Sequence, residues 1–115
     1  MFDFQKLLVY TKTKSFNKLV YSFLLSTKLD RTTKDQLKRA SFSIMLNIAE
    51  GSSRLSNKDR RHFLTITRGS SFECVAIFEH LADIEVINES CYQQYYSQLE
   101  EISKMLFALI WKLGS

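Results

Sequence analysis

Proline is absent from this 115-residue chain, and glycine stands only at Gly51, Gly69 and Gly114. The many tight turns of an all-β sandwich draw on these two residues for their restricted or left-handed backbone, so such a fold has little to build its turns from. Long helices with few connections fit instead. The length makes one domain, residues 1–115, able to hide roughly two-thirds of its surface on folding. A content of 45% hydrophobic and 24% charged residues is that of a packed domain rather than a disordered segment.

Only two polar clusters, near 26–33 and 51–57, have the composition of connections, and the apolar spacing between them predicts helices at 4–25, 34–50, 57–87 and 90–113. In the first, Phe4, Leu7, Leu8, Thr11, Ser15, Leu19 and Phe23 share a broad face. Thr33 and Gln36 have the form of a capping box for the second, whose inward positions are Leu37, Ala40, Ser41, Ile44 and Ile48, with Gly51 as its left-handed end. The third begins at the Ser56 to Asp59 cap and packs along Phe63, Ile66, Ser70, Cys74, Ile77, Leu81 and Ile84, ending at Asn88. Gly69 beside that seam implies a close approach to the backbone or a kink. Ser90 and Gln93 offer a further box, and Tyr95, Leu99, Ile102, Leu106, Leu109 and Leu113 repeat with bundle spacing. The expected architecture is all-α, an antiparallel up-down four-helix bundle.

Helix one carries Lys6, Lys12, Lys14 and Lys18 among its apolar positions, which breaks any signal-peptide hydrophobic region, and the longest apolar run, Met105 to Trp111, is too short for a bilayer. Cys74 and Cys91 make one disulfide at most. A reducing, cytoplasmic setting without membrane contact is the expectation. Nothing converges on catalysis. His62 and His80 lie eighteen residues apart on one predicted helix, roughly 27 Å. Cys74 falls on a packing seam, and Cys91 has no evident base. Asp59 and His62 form a single acid-x-x-His pair where a di-metal bundle needs two, and no glycine-rich phosphate cradle follows a strand. The chain is read as a non-enzyme without metal, cofactor or small-molecule substrate.

Two polar constellations remain. Asn47, Glu50 and Gly51 at the end of helix two face Gly69, Ser70 and Glu73 in helix three, as an inter-helix hydrogen-bond network or as a ligand site. The second is basic. Residues 1–61 hold thirteen Lys/Arg against five Asp/Glu, a balance of +8, and residues 62–115 hold three against seven, a balance of −4. Lys58, Arg61 and Arg68 fall opposite Phe63 and Leu81 as an outward ridge, while Lys34, Lys38 and Arg39 occupy the opening turns of helix two, where the helix dipole disfavours cations. These two groups, with Lys12, Lys14 and Lys18, are candidate phosphate contacts for RNA or DNA; a solvated charged surface is the other reading.

Taken together, Phe4-x-x-Leu7-x-Val9-Tyr10, the run Gln36-Leu37-Lys38-Arg39-Ala40-x-x-Ser43-Ile44-x-x-Asn47-Ile48-Ala49-Glu50-Gly51, Phe63-Leu64 and Gly69-Ser70-x-x-Glu73 resemble the four-helix-bundle family of 23S ribosomal RNA intervening-sequence proteins. The accessory variability proteins of diversity-generating retroelements are more distantly similar. The resemblance spans nearly the whole chain; its Asn-Ile-Ala-Glu-Gly and Gly-Ser-x-x-Glu pieces are the specific part. It implies a bacterial cytosolic bundle that assembles as a ring-shaped homopentamer and associates with nucleic acid. The chain departs from the pattern at Lys28-Leu29-Asp30, where a Phe-Pro is common, and at Thr67, where alanine is usual.

Phe2, Phe16, Phe42, Phe72, Phe78 and Phe107 exceed what one thin core can hold, so some are expected at a subunit interface. The expected function is that of a non-catalytic, oligomeric nucleic-acid-binding protein, RNA being the expected partner. A structural or protein-interaction assembly module without nucleic acid is the alternative.

Overall fold

Side-chain caps set the starts of three of the four helices. Asp30 Oδ2 accepts from the Thr33 amide, Ser56 Oγ from the Asp59 amide and Asn88 Oδ1 from the Cys91 amide, each satisfying one of the orphan donors of a first turn. The Asp30 carboxyl is held below its usual range by hydrogen bonding from the Thr33 side chain and then its amide. The computed structural model describes residues 1–114. Among them a 3-10 turn, Asp3–Lys6, precedes α1 (Leu8–Ser26), α2 (Arg31–Ser52), α3 (Asn57–Asp83) and α4 (Glu89–Lys112), with no strand.

Cross-helix pairs fix the directions. Lys38 sits over Tyr21 and Ser41 donates to Asn17; Arg39 meets Glu73 and Ser43 meets Ser70; Arg68 lies over Phe107 and Phe78 stacks on Tyr95; Lys12 pairs with Glu101. In each neighbouring pair the number rises on one helix as it falls on the other, so the four run up and down in turn, in a molecule about 44 Å long.

The core has an aromatic centre. Phe78 stacks on Tyr95 at 4.1 Å between ring centroids, and Phe23 approaches both edge-on at 5.6 Å. Phe16, Leu37, Ile44, Ile48, Leu81, Leu99, Ile102 and Leu106 are fully enclosed around it. Five hydroxyl side chains are buried as well, and each finds a partner: Thr13, Thr67 and Ser71 donate to carbonyls of their own helices, Ser41 to Asn17, and Ser70 bonds with Ser43. Such satisfaction is what allows polar groups into a bundle interior.

The inward positions expected for α2 are all buried. The first helix is different. It starts at Leu8 after an extended Leu7, and its buried stripe is Val9, Thr13, Phe16, Val20, Phe23 and Leu24; Leu8, Thr11, Ser15 and Leu19 point to solvent. On α3 the seam is Leu64, Thr67, Ser70, Ser71, Cys74, Phe78 and Leu81, while Ile66 and Ile84 are exposed. The capping boxes at Thr33–Gln36 and Ser90–Gln93 do not form, because Asp30 and Asn88 cap one turn and two residues earlier respectively. Gly51 does not end α2; it lies inside the helix, buried, and the chain leaves through Ser53 in an ordinary right-handed conformation.

Helix α3 also stops earlier than its composition implies. The Glu85 amide donates to the Ala82 carbonyl and the Val86 amide to the Leu81 carbonyl, the paired bonds of a Schellman ending, and Glu85 takes the left-handed position at φ 63°. Glycine normally fills that position; a glutamate there gives no sequence signal for the turn. Glu85→Gly is therefore expected to stabilise the fold by up to about 1 kcal/mol, read as a higher midpoint in urea with an unchanged slope; a lower midpoint would show that the glutamate side chain matters more than its backbone.

Candidate nucleic-acid interface

The basic ridge lies on α3. Lys58 is exposed, and Arg61 and Arg68 are half-buried. Three and seven residues apart, they keep to one side of the helix over roughly 15 Å of its axis. Lys34, Lys38 and Arg39 are exposed on α2. Because α2 begins at Arg31, only Lys34 is near its start; Lys38 and Arg39 fall in the third turn, beyond reach of the terminal dipole. Since α2 and α3 are antiparallel, Lys34 and Lys58 near their starts lie toward opposite ends of the bundle, whereas Arg39, paired with Glu73, and Arg68 lie nearer its middle.

Ion pairing separates the candidates further. Arg39 Nη2 donates to Glu73 Oε2 at 2.6 Å, and Lys12 Nζ lies 2.7 Å from Glu101 Oε1, so both charges are matched within the chain. Among the described residues Lys34, Lys38, Lys58, Arg61 and Arg68 have no carboxylate within 4.0 Å, and neither do Lys14 and Lys18. The Nε atoms of Arg61 and Arg68 are shielded from solvent and lack a hydrogen-bond acceptor, as is that of Arg54.

Arg68 has a neighbourhood that the spacing of charges did not reveal. Its guanidinium carbon sits 4.9 Å from the Phe72 ring centroid and 5.2 Å from that of Phe107, and Phe107 in turn stacks on Trp111 at 6.4 Å. A signal was present: Arg68 and Phe72, and Phe107 and Trp111, are each four residues apart and so share a helix face. What the sequence could not show is that α3 and α4 bring the two faces together.

The constellation of Asn47, Glu50, Gly51, Gly69, Ser70 and Glu73 is divided by the structure into separate contacts. Asn47 Nδ2 donates to the Ser43 carbonyl and hydroxyl at 2.9 Å, and Ser43 Oγ lies 3.0 Å from Ser70 Oγ, so Ser43 links Asn47 to Ser70. Glu73 holds Arg39, and Glu50 accepts from Arg54 Nη2 within its own end of the bundle. Neither glycine takes the role expected of it. A Cβ on Gly51 would meet the Phe63 Cβ at 2.8 Å, whereas one on Gly69 would meet nothing within 4 Å. The close approach is thus at Gly51, and α3 runs through Gly69 unbroken.

The two cysteines are placed as packing elements, while Asp59, His62 and His80 are exposed. Burial pushes the Cys74 thiol up to about 12, so it carries no thiolate at neutral pH, and burial raises the Cys91 thiol too despite its place at a helix start. No cluster of three or more His, Cys, Asp or Glu side chains able to hold a metal occurs among the described residues, and no helix there is long and apolar enough to cross a membrane.

Comparison with known proteins agrees with this architecture. A crystal structure of a protein of unknown function from the S23 ribosomal protein family of Bacteroides thetaiotaomicron VPI-5482 superposes with a TM-score of 0.83 at 26% identity, covering 90% of this chain and 98% of the other. No individual curated protein matches the sequence. Residues 5–108 match the family described as 23S rRNA-intervening sequence protein. With a helical fold shared over nine-tenths of its length and a family match over residues 5–108, the chain belongs to the 23S rRNA-intervening sequence protein family.

Proposed function

We propose that this protein is a non-catalytic, oligomeric module that binds RNA through phosphate contacts. The observation that carries the reading is the set of cations left without acidic partners, Lys58, Arg61 and Arg68 on α3 and Lys34 and Lys38 on α2; Arg39, bound to Glu73, is at most a shared contact. Cations of this kind release counterions from a nucleic-acid backbone and give affinity with little base specificity. The family's description in terms of 23S rRNA is consistent with an RNA partner. Separated patches on one protomer become useful when copies assemble, because repetition multiplies weak contacts into avidity.

Assembly is part of the proposal, with five copies as the number that family resemblance implies. Its support in this chain is apolar surface away from the Arg68 neighbourhood: Phe16 and Phe78 are enclosed, but Phe2 and Phe42 are not, and Leu8, Leu19, Leu25, Leu46 and Ile66 are exposed with them. Monomers seldom leave so much apolar area to water. The same observation favours a second reading, an assembly module that binds other proteins and no nucleic acid.

The test is an RNA titration at several salt concentrations on the wild type and on Lys58→Gln/Arg61→Gln/Arg68→Gln, with light scattering to confirm an unchanged assembly. The wild type should lose affinity steeply with salt, and the slope of log affinity against log salt should flatten by roughly 0.7–0.9 for each phosphate contact removed. Absence of binding at low salt, or an unchanged slope in the variant, would sink the RNA reading. Salt-independent capture of a protein partner with no RNA binding would put the assembly reading first.

A further inference from the structure

Phe72, Phe107 and Trp111 are 55%, 52% and 79% exposed, although rings of this size ordinarily lie inside a small domain. They form an unbroken contact series with a cation: Phe72 to Arg68, Arg68 to Phe107, Phe107 to Trp111. Arg61, two helical turns before Arg68 on the same face, adds a second guanidinium without a carboxylate within 4.0 Å among the described residues. Beyond Phe72 the groove between α3 and α4 changes character, with Glu79 and the paired Glu100 and Lys104 on its walls.

We infer that this strip along α3 and α4 takes an unpaired stretch of RNA, bases stacking on the rings and phosphates meeting the arginines. The inference rests on the RNA-binding reading above and names the form of RNA that the site prefers. Charge alone does not discriminate a duplex from a single strand. Exposed aromatic rings do, Trp111 above all at 79% exposure, because a duplex keeps its bases stacked on one another and only an unpaired base can offer its own face to a ring. The strip therefore supplies both halves of a single-strand site, an anion-attracting edge and a stacking surface. Its length is bounded as well: from Arg61 to Phe72 is roughly 16 Å of helix axis, room for roughly four or five stacked nucleotides, before the groove loses its excess of cations, with Glu79 on its wall and Lys104 matched to Glu100.

Trp111 is the only tryptophan in the chain, so its fluorescence reports on the strip directly. The experiment titrates the intact protein with a short mixed-sequence single-stranded RNA and with the same RNA annealed to its complement, following tryptophan emission and, in parallel, the anisotropy of labelled RNA. The single strand should quench Trp111 and bind about tenfold or more tightly than the duplex. Trp111→Leu should weaken single-strand binding by about 5- to 100-fold, the usual loss of one stacking ring, while leaving the salt slope as in the wild type because every charge is retained. Circular dichroism should show the fold intact, since Trp111 packs mainly against Phe107 at the surface. Salt-dependent binding without quenching, at equal strength for both RNAs, would overturn the inference and leave the charge-based reading standing. No binding of either RNA would overturn both. A Trp111 already shielded from acrylamide in the free protein would show that a second copy covers the strip, and would overturn the inference in favour of an assembly contact.

Discussion

Phe78→Ala is expected to destabilise the fold by about 3–5 kcal/mol, the usual cost of replacing an enclosed phenylalanine by alanine. The residue has no exposed surface, and its ring lies between two others, stacked on Tyr95 and met edge-on by Phe23. Removing it opens a void that neither neighbour can fill by a change of rotamer, since Tyr95 and Phe23 are themselves 5.6 Å apart and locked edge to face. The loss combines burial, cavity and aromatic contact. Urea unfolding at constant protein concentration measures it, concentration being fixed because assembly adds to apparent stability. Phe107→Ala is the control: half-exposed at the surface, it should cost far less. Equal losses at the two positions would mean that the exposed ring is buried in the assembled form.

Gly51→Ala and Gly69→Ala should act in opposite directions. Both glycines are inside helices, where alanine is favoured by about 1 kcal/mol. At Gly69 nothing opposes this gain, because the new methyl enters open space, and a stabilisation of up to about 1 kcal/mol is expected. At Gly51 the methyl would stand 2.8 Å from the Phe63 Cβ. That atom is fixed to the α3 backbone and cannot swing away, so the two helices must part locally. Overpacking of this kind costs about 1–3 kcal/mol, which exceeds the propensity gain. Thermal unfolding of the two variants beside the wild type decides the matter, and a more stable Gly51→Ala protein would show that α2 and α3 separate there without resistance.

The sequence was most legible where one physical signal acted alone. On α2, the apolar spacing marks Leu37, Ala40, Ser41, Ile44 and Ile48 as the main stripe, and these are buried together with Gly51, while Phe42 and Leu46 lie exposed outside it. On α1, apolar residues populate more than one side, and Leu8, Leu19 and Leu25 compete with Val9, Phe16 and Val20 for the core. Periodicity is identical for two adjacent stripes, and only the positions of α2 and α4 choose between them. Helix ends failed for a different reason. The turn after α3 uses a glutamate in a glycine's conformation, and Gly51 serves close packing rather than termination. The candidate interface was half visible: the charges of Lys58, Arg61 and Arg68 could be read on one helix, but the rings of Phe107 and Trp111 join them only across a tertiary contact, and the pairing of Arg39 with Glu73 depends on the register of α2 against α3.

That register is guarded by the serine pair. Let α3 slide along α2 by one turn, and Ser43 would face Ile66 or Cys74 in place of Ser70, while Arg39 would face Gly69 or Ile77 in place of Glu73. The apolar stripes could still overlap after such a slide, for one leucine or isoleucine replaces another at small loss. The buried Ser70 hydroxyl could not, because it would lose Ser43 while Ser43 kept Asn47, and a dry, unmatched hydroxyl would add a penalty of about 1–3 kcal/mol to the shifted arrangement. A bundle held by apolar residues alone would be free to settle at several offsets of nearly equal energy. Here two small side chains that contribute little to the strength of the correct structure make the neighbouring wrong ones unaffordable, and so give the helices one place to stop.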